Sequence, residues 1–157
     1  MTEPVQTDAP RTLDVGTVKV GDQLPKLTID VTTTRVVVGA IASRDFMPVH
    51  HDRDFAASQG ATDVFLNILS DNGYCSRFLT DWAGPDAMLR RIALRLGVPA
   101  FAGSTLTFTG SVTGVERGDG AISIDVEISA LNDLGEHVGG TATLSVPTAG
   151  QTSAAGR

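Results

Sequence analysis

The sequence predicts an α+β domain in which one long helix packs against an antiparallel sheet of about five strands. Two observations carry this prediction. In the middle of the chain, apolar residues recur at the three- and four-residue spacing of a helix, and towards the C-terminal end they alternate with polar residues, as in a strand. The length of 157 residues is that of a single domain with one core.

Five segments are predicted as strands, and four of them are consecutive. They are 26–32, 90–96, 104–115, 121–131 and 137–146. In the last four, the alternation of apolar and polar residues places one side of each strand in the core and the other in solvent. The connections at 116–120 and 132–136 combine glycine with Asp or Asn, which favours tight turns between antiparallel neighbours.

The long helix is expected over 62–82, because its apolar residues fall on one helical face. Thr62 or Asp63 would cap its beginning, and the Gly84-Pro85 pair would end it. Gly73 lies inside this helix, where it predicts either a close approach of another element or a local break.

A shorter helix is expected over 52–60, with Asp52 as its cap and Gly60 at its end. One central helix against strands of these lengths indicates a hot-dog fold, which we assign to residues 18–146. Residues 1–17 and 147–157 are small and polar, and we expect them to be flexible tails. An open sheet of five strands leaves an edge that a second copy or another chain commonly covers.

Composition narrows the class of function. The net charge of −6 argues against nucleic acid as a partner, because an acidic surface gains nothing from phosphate contacts. Cys75 is the single cysteine, so no internal disulfide is expected and a reducing, cytoplasmic setting fits. The first residues lack the basic and apolar regions of a secretory signal, and no apolar stretch approaches the length of a membrane helix.

The segment 43–52, SRDFMPVHHD, contains the candidate catalytic residues. Pro48 fixes its own φ and favours an extended conformation at Met47, so this segment cannot be a continuous helix. Such a bend can direct Asp45 and His50 to one point. A carboxylate and an imidazole that share a water molecule form a general acid/base pair, and histidine changes its charge near neutral pH.

The spacing alone leaves simpler interpretations open. An Asp at a turn is often a local cap, and a His before a helix is often exposed. We interpret His51 as a surface residue and Asp52 as the helix cap. No metal is expected, because the only other histidine, His137, is far along the chain and a third ligand at useful spacing is missing.

Two motifs resemble those of a known family, the MaoC-like (R)-specific enoyl-CoA hydratases. The first is ASRDFMPVHHDRDFAASQG at 42–60, which is similar to the family signature of Ser-Gly-Asp, then Asn-Pro, an apolar residue and His. The second is LGVPAFAGSTLTFTGSVTGV at 96–115, which is similar to a strand entry of that family. The resemblance covers about residues 20–146 and supports the hot-dog fold.

The resemblance implies roles for particular residues. Asp45 and His50 match the catalytic pair, and Asn67 stands where the family has a glycine whose backbone N–H holds the thioester oxygen. Pro48 and Ile68 are expected to contact substrate. The chain departs from the signature at Arg44, which replaces Gly, and at Met47, which replaces Asn.

The resemblance is strongest to the small subunits of two-component steroid enoyl-CoA hydratases. It implies a larger MaoC-like partner subunit, fused to or associated with a zinc-bearing OB-type domain, in a heterotetramer with a composite active site. The substrate would be a steroid side-chain CoA thioester, with no further cofactor, and a downstream aldolase is a possible further partner.

Three other functions stay open at this point. The first is a homodimeric (R)-specific hydratase of fatty enoyl-CoA, and the second is a non-catalytic hot-dog partner subunit. The third is a hot-dog thioesterase with a carboxylate on the central helix as its base. Asp63 or Asp71 could serve as that base, although nothing in the sequence brings either of them to the 43–52 segment.

Overall fold

A computed structural model describes residues 12–148 of the chain. Its elements, in chain order, are β1 (Leu27–Asp30), α1 (Thr33–Ala42), a 3-10 turn (Pro48–His50), α2 (Arg53–Ser58), α3 (Ile68–Ala83), β2 (Met88–Leu96), β3 (Thr105–Arg117), β4 (Ala121–Asn132) and β5 (Gly135–Pro147). The α+β class and the five predicted strands are therefore confirmed.

The five strands form one sheet in the order β1-β3-β4-β5-β2, and every neighbouring pair is antiparallel. The tight turns at Gly120 and Gly135, both with positive φ, connect the three long strands as the sequence predicts. Within the described chain the short strand β1 forms one edge of the sheet, and β2 forms the other.

Helix α3 packs against one face of this sheet and forms the core with it. The inward residues are those that the alternation predicts on each long strand, for example Phe108 on β3, Ile124 on β4 and Leu144 on β5, all buried. The rings of Phe78 on α3 and Phe108 lie 6.0 Å apart. A methyl group on Gly110 would approach the Phe78 ring to 3.1 Å, so the small residue sets how closely helix and sheet approach.

Helix α3 begins six residues later than the sequence predicts, and neither Thr62 nor Asp63 caps it. Asn67 is the cap, and its side-chain oxygen accepts a hydrogen bond from the Ser70 N–H. The preceding residues are held in an extended conformation, because Leu66 N–H donates to the Ala100 carbonyl and Ala102 N–H donates to that of Val64. This tertiary pairing overrides the helical spacing. The predicted end at Gly84 is confirmed.

Helix α1 is not predicted as an element of its own by the sequence. Its run of valines at 36–38 favours a strand by intrinsic propensity. Thr32 caps the helix by accepting a hydrogen bond from Arg35 N–H, and one face buries Val36 and Ala40. Capping and burial therefore decide the conformation here.

Helix α2 confirms the prediction for the shorter helix. The Asp52 side chain accepts a hydrogen bond from Phe55 N–H at 3.0 Å, and Gly60 follows the helix end with a φ of 85°.

The predicted tails fall largely on 1–11 and 149–157, which lie outside the described residues. Part of the first predicted tail is described and contacts the domain: Leu13 and Val15 pack against the core, and Leu13 N–H donates to the Ala83 carbonyl. Among the described residues, no helix has the length and hydropathy needed to cross a membrane.

Two glycine substitutions test this packing. Gly73→Ala should raise the free energy of unfolding by about 1 kcal/mol, because α3 is continuous there and an added methyl group meets no atom within 4 Å. The predicted close approach or break at Gly73 is wrong.

Gly140→Ala should lower stability by about 1–3 kcal/mol, since its methyl group would collide with the Ala93 carbonyl oxygen on β2. Urea unfolding of both variants checks these signs, and a loss of stability in Gly73→Ala would contradict the account of α3.

Candidate active site

The segment between α1 and α2 begins with a sharp reversal at Arg44. Its φ of 59° is left-handed, and it is the one such residue other than glycine in the described chain. Glycine adopts this conformation without strain, which explains why Gly stands here in the signature that the segment resembles. The reversal is held by Asp45 N–H, which donates to the Ala40 carbonyl at 2.9 Å.

Pro48 then fixes the path of the chain up to His50, as the sequence predicts. It occupies the first position of the 3-10 turn, and Met47 before it is extended, with φ −63° and ψ 125°. His50 N–H donates to the Met47 carbonyl at 3.1 Å. His50 is therefore held by a short, hydrogen-bonded turn, with only 6% of its surface exposed.

A hydrogen bond to the Phe65 carbonyl selects one tautomer of the His50 imidazole. Its Nδ1 lies 2.8 Å from the Phe65 carbonyl oxygen, which can only accept, so Nδ1 carries a hydrogen. In the neutral ring, Nε2 then has a free lone pair. This atom faces Asp45 Oδ2 at 3.4 Å. The structure therefore brings together the two residues that the sequence selects.

Asp45 is held in its charged form by neighbouring donors. Asn67 Nδ2 donates to its Oδ2 at 3.1 Å, and Met47 N–H donates to its Oδ1 at 3.3 Å. The hydrogen bond from Asn67 is the largest cause that keeps the pKa of Asp45 below its ordinary value; partial burial opposes it. About a quarter of the carboxylate side chain, 27%, is exposed, so a small molecule can reach it.

Asn67 joins the catalytic candidates to the central helix through its side chain. The same amide nitrogen that contacts Asp45 also donates to Ser43 Oγ at 2.8 Å, while the amide oxygen caps α3. Sequence reasoning selected Asn67 only for its backbone N–H. Pro48 lies in the turn that holds His50, and Ile68 is the first residue of α3 with 55% of its surface exposed.

His51 is exposed beside this site, which fits its interpretation as a surface residue. Asp63 lies outside α3 and pairs with Arg53 at 2.8 Å, and this pairing lowers the pKa of Asp63. It therefore cannot be a base on the central helix.

In the part of the chain that the structure describes, no group of three His, Cys, Asp or Glu residues is arranged to hold a metal ion.

A second histidine–carboxylate pair was not foreseen. Asp71 on α3 and His137 on β5 are both buried, and His137 Nε2 lies 2.9 Å from Asp71 Oδ1. Burial lowers the pKa of His137, but the hydrogen bond and charge of Asp71 outweigh this and raise it above its ordinary value. Asp71 shares the apolar face of α3 with Cys75 and Phe78. An acidic residue on an apolar helical face is the one feature of the sequence that indicates a buried partner. Its burial argues against Asp71 as a thioesterase base.

Comparisons with known proteins agree with this fold. No family model matches the sequence. The chain is 50% identical over 127 residues to the 3-oxo-4,17-pregnadiene-20-carboxyl-CoA hydratase beta subunit of Mycobacterium tuberculosis, covering 81% of this chain and 95% of the relative.

Solved structures give the same result. The ChsH1-ChsH2 complex from M. tuberculosis contains a chain with 49% identity and a TM-score of 0.78, covering 83% of this chain and 98% of that one. An (R)-hydratase from A. caviae, involved in PHA biosynthesis, has 22% identity and a TM-score of 0.75 over 83% of this chain and 98% of its own. At that identity, the second likeness establishes the fold alone.

A hot-dog domain with this identity to a hydratase subunit defines a hydratase of the MaoC-like class. The chain belongs to the MaoC-like enoyl-CoA hydratase family, in which the beta subunit from M. tuberculosis is its relative at 50% identity.

Two substitutions of Asn67 separate its capping role from its contact with Asp45. Asn67→Ser keeps a capping oxygen but is too short to reach Asp45, whereas Asn67→Ala loses both contacts. The pKa of Asp45 should rise towards its ordinary value of 3.8 in both variants, which a carbon-13 NMR titration of its carboxyl would measure.

Stability should respond differently in the two variants. Only Asn67→Ala should lose the cap, at about 1 kcal/mol, in urea unfolding at neutral pH. The contribution from the Asp45 charge is present above its ordinary pKa and is lost as the pH falls through its lower folded pKa. An unchanged Asp45 titration in both variants would show that Asn67 does not hold the carboxylate.

Proposed function

We propose that this chain is the catalytic small subunit of a two-component hydratase that adds water across the 2,3-double bond of a steroid side-chain enoyl-CoA. In this proposal Asp45 and His50 act on the water, and a second MaoC-like subunit completes the site. The observation that carries it is the 3.4 Å approach of His50 Nε2 to Asp45 Oδ2. The identity of 50% to a steroid-CoA hydratase beta subunit supports the substrate class.

The protonation of the pair suits it to bind water. Nε2 of neutral His50 and the oxygens of ionised Asp45 are all acceptors, because the hydrogen on the ring is committed to the Phe65 carbonyl. A water molecule has two hydrogens and can donate one to each group. Its oxygen lone pairs then point away from the pair, towards a bound substrate.

The addition can proceed with one water molecule as the source of both added groups. As the water oxygen bonds to Cβ, one of its protons moves to His50 Nε2, and the π electrons shift towards the thioester oxygen. The imidazolium that forms is stabilised by the Asp45 carboxylate. It returns the proton to Cα as the enolate reverts to the thioester carbonyl, and His50 is neutral again. The net change is the addition of H and OH.

The negative charge that develops on the thioester oxygen needs donors. The first backbone N–H groups of a helix have no partner within it and lie at its positive end. We assign this role to the backbone at Asn67 and Ile68, where α3 begins beside the His50–Asp45 pair. Donors placed there before reaction stabilise an enolate more than the neutral ground state.

The surroundings of the pair suit an apolar substrate and a partner subunit. The elements that adjoin the pair carry large apolar side chains that are half or more exposed: Val38 and Ile41 on α1, Phe46 and Met47 before the 3-10 turn, and Ile68 and Leu69 at the start of α3. Exposed apolar side chains in such number are typical of a binding surface. Edge strand β2 offers a second surface for a partner, and the relative at 49% identity was solved in the ChsH1-ChsH2 complex.

The proposal extends to the rest of the assembly. We expect the partner to be a larger MaoC-like subunit, fused to or associated with a zinc-bearing OB-type domain, in a heterotetramer. The product, a 3-hydroxyacyl-CoA, has the β-hydroxy carbonyl unit that an aldolase cleaves, so a downstream aldolase is consistent with it. No cofactor is required by the steps above, and a cytoplasmic location stays a prediction.

Loss of either reacting group should abolish turnover without loss of folding. Asp45→Asn and His50→Ala, each in complex with the partner, should reduce kcat for hydration by about 10²- to 10⁴-fold, the usual range for general acid/base groups. His51→Ala is the matched control, because it removes the exposed neighbouring imidazole and should retain full activity. Near-normal turnover by Asp45→Asn or His50→Ala would refute the assignment.

The two-component character is tested by reconstitution. The chain alone should have little activity, and co-expression with the larger MaoC-like subunit should restore hydration of a steroid side-chain enoyl-CoA in preference to a short linear enoyl-CoA. A fully active homodimer that prefers the linear substrate would identify an ordinary (R)-specific hydratase. Full activity of the complex that contains His50→Ala would identify a non-catalytic subunit.

A further inference from the structure

The buried pair of Asp71 and His137 is unusual in its protonation. His137 Nε2 faces the Asp71 carboxylate at 2.9 Å, and its Nδ1 faces the Val98 carbonyl oxygen at 2.6 Å. Both neighbours can accept, so an imidazolium, which donates from both ring nitrogens, fits this position. The side chains of the two residues are only 3% and 5% exposed. A histidine–carboxylate pair thus lies inside the core.

Stability is a poor reason for such a pair. Removing two charges from water is costly, and apolar residues of similar volume often serve a core equally well. The best-attested use of a buried polar contact is to fix one relative position of two elements. The question is therefore which elements the pair holds, and each end of it leads to the candidate active site.

The carboxylate end holds the first turn of α3. Asp71 N–H donates to the Asn67 carbonyl at 3.2 Å, so Asp71 lies one turn after the residue that caps the helix. Asn67 in turn donates to Asp45 Oδ2. A shift of Asp71 relative to the sheet would therefore move the donor that holds the Asp45 carboxylate.

The imidazolium end holds the connection between β2 and β3. Beyond Val98, this connection pairs with the segment before α3, through Leu66 N–H to the Ala100 carbonyl and Ala102 N–H to the Val64 carbonyl. Phe65 lies between these two hydrogen bonds, and its carbonyl accepts from His50 Nδ1. The group that selects the His50 tautomer is thus fixed by the loop that His137 anchors.

We propose that Asp71 and His137 are positioning residues for the reaction, holding Asn67 against Asp45 through α3 and Phe65 against His50 through the β2–β3 connection. This inference rests on the proposed function in one respect, namely that Asp45 and His50 are the reacting pair. Neither Asp71 nor His137 touches substrate. The two act by keeping Nδ1 of His50 bonded to the Phe65 carbonyl and the Asp45 carboxylate in place.

Two variants separate positioning from support of the core. Asp71→Ala combined with His137→Phe replaces the ion pair by apolar side chains of similar total volume, so the domain should fold but lose both anchors. Asp71→Asn is the matched control: its amide can donate to Nε2 of neutral His137, whose Nδ1 hydrogen still bonds the Val98 carbonyl. It removes the charge and keeps the geometry.

Both variants are measured in the reconstituted complex, with only this chain labelled with nitrogen-15 at histidine. For the double variant we expect a melting temperature within about 5 °C of wild type. Its kcat should fall by about 10- to 100-fold, because small displacements of reacting groups cause losses of this size. Its KM should change by less than about threefold. The nitrogen-15 spectrum should show that His50, assigned with His50→Ala, loses its fixed Nδ1–H tautomer. Asp71→Asn should match wild type in kcat and in the His50 signal.

The outcomes decide between the two roles. A double variant with wild-type kcat and a wild-type His50 signal would reduce the pair to structural support and overturn the proposal. Equal losses in the double variant and in Asp71→Asn would also overturn it, because the charge would then matter and not the position. If the wild-type complex hydrates neither substrate, the proposed function fails, and the His50 signal alone still decides whether the pair positions that residue.

Discussion

The contact on which the site depends is the one between the Asn67 side chain and the segment before the 3-10 turn. A single amide caps α3 through its oxygen and holds Ser43 and Asp45 through its nitrogen. The start of the central helix and the position of the carboxylate are therefore set by one residue. Because Asn67 is buried, with 2% of its surface exposed, water does not compete for these hydrogen bonds.

This arrangement favours the charged form of Asp45 and fixes which nitrogen of His50 carries a hydrogen. Donors from Asn67 and Met47 keep Asp45 ionised, and the Phe65 carbonyl commits the His50 hydrogen to Nδ1. In the neutral ring, Nε2 is then an acceptor that faces Asp45 Oδ2 at 3.4 Å. In the proposed function, a water molecule beside this pair donates one hydrogen to each group, so the contact that binds the water also accepts its proton. Binding and activation arise from the same contacts.

The sequence predicts only those features of the site that depend on residues close together in the chain. Pro48 and the five-residue spacing from Asp45 to His50 are local, so they could be interpreted without a fold, and the strands follow from alternation. The start of α3 depends on pairing with Ala100, and the Asp71–His137 contact joins residues 66 positions apart. Helix spacing and composition contain no information on such partners. Asp71 on an apolar helical face was the one hint that a partner existed.

The exposure of Asp45 argues for a composite site on physical grounds. A carboxylate that polarises water acts more strongly when bulk solvent is excluded, because the effective dielectric constant then falls. His50 and Asn67 are already buried, yet Asp45 remains 27% exposed, and the elements that adjoin it carry exposed apolar side chains. Apolar side chains around a charged group exclude water only when another apolar surface covers them. In the proposed function the substrate covers part of this surface, and an acyl group alone is small compared with six large side chains. A partner subunit that covers the remainder would complete the low-dielectric enclosure that the chemistry requires.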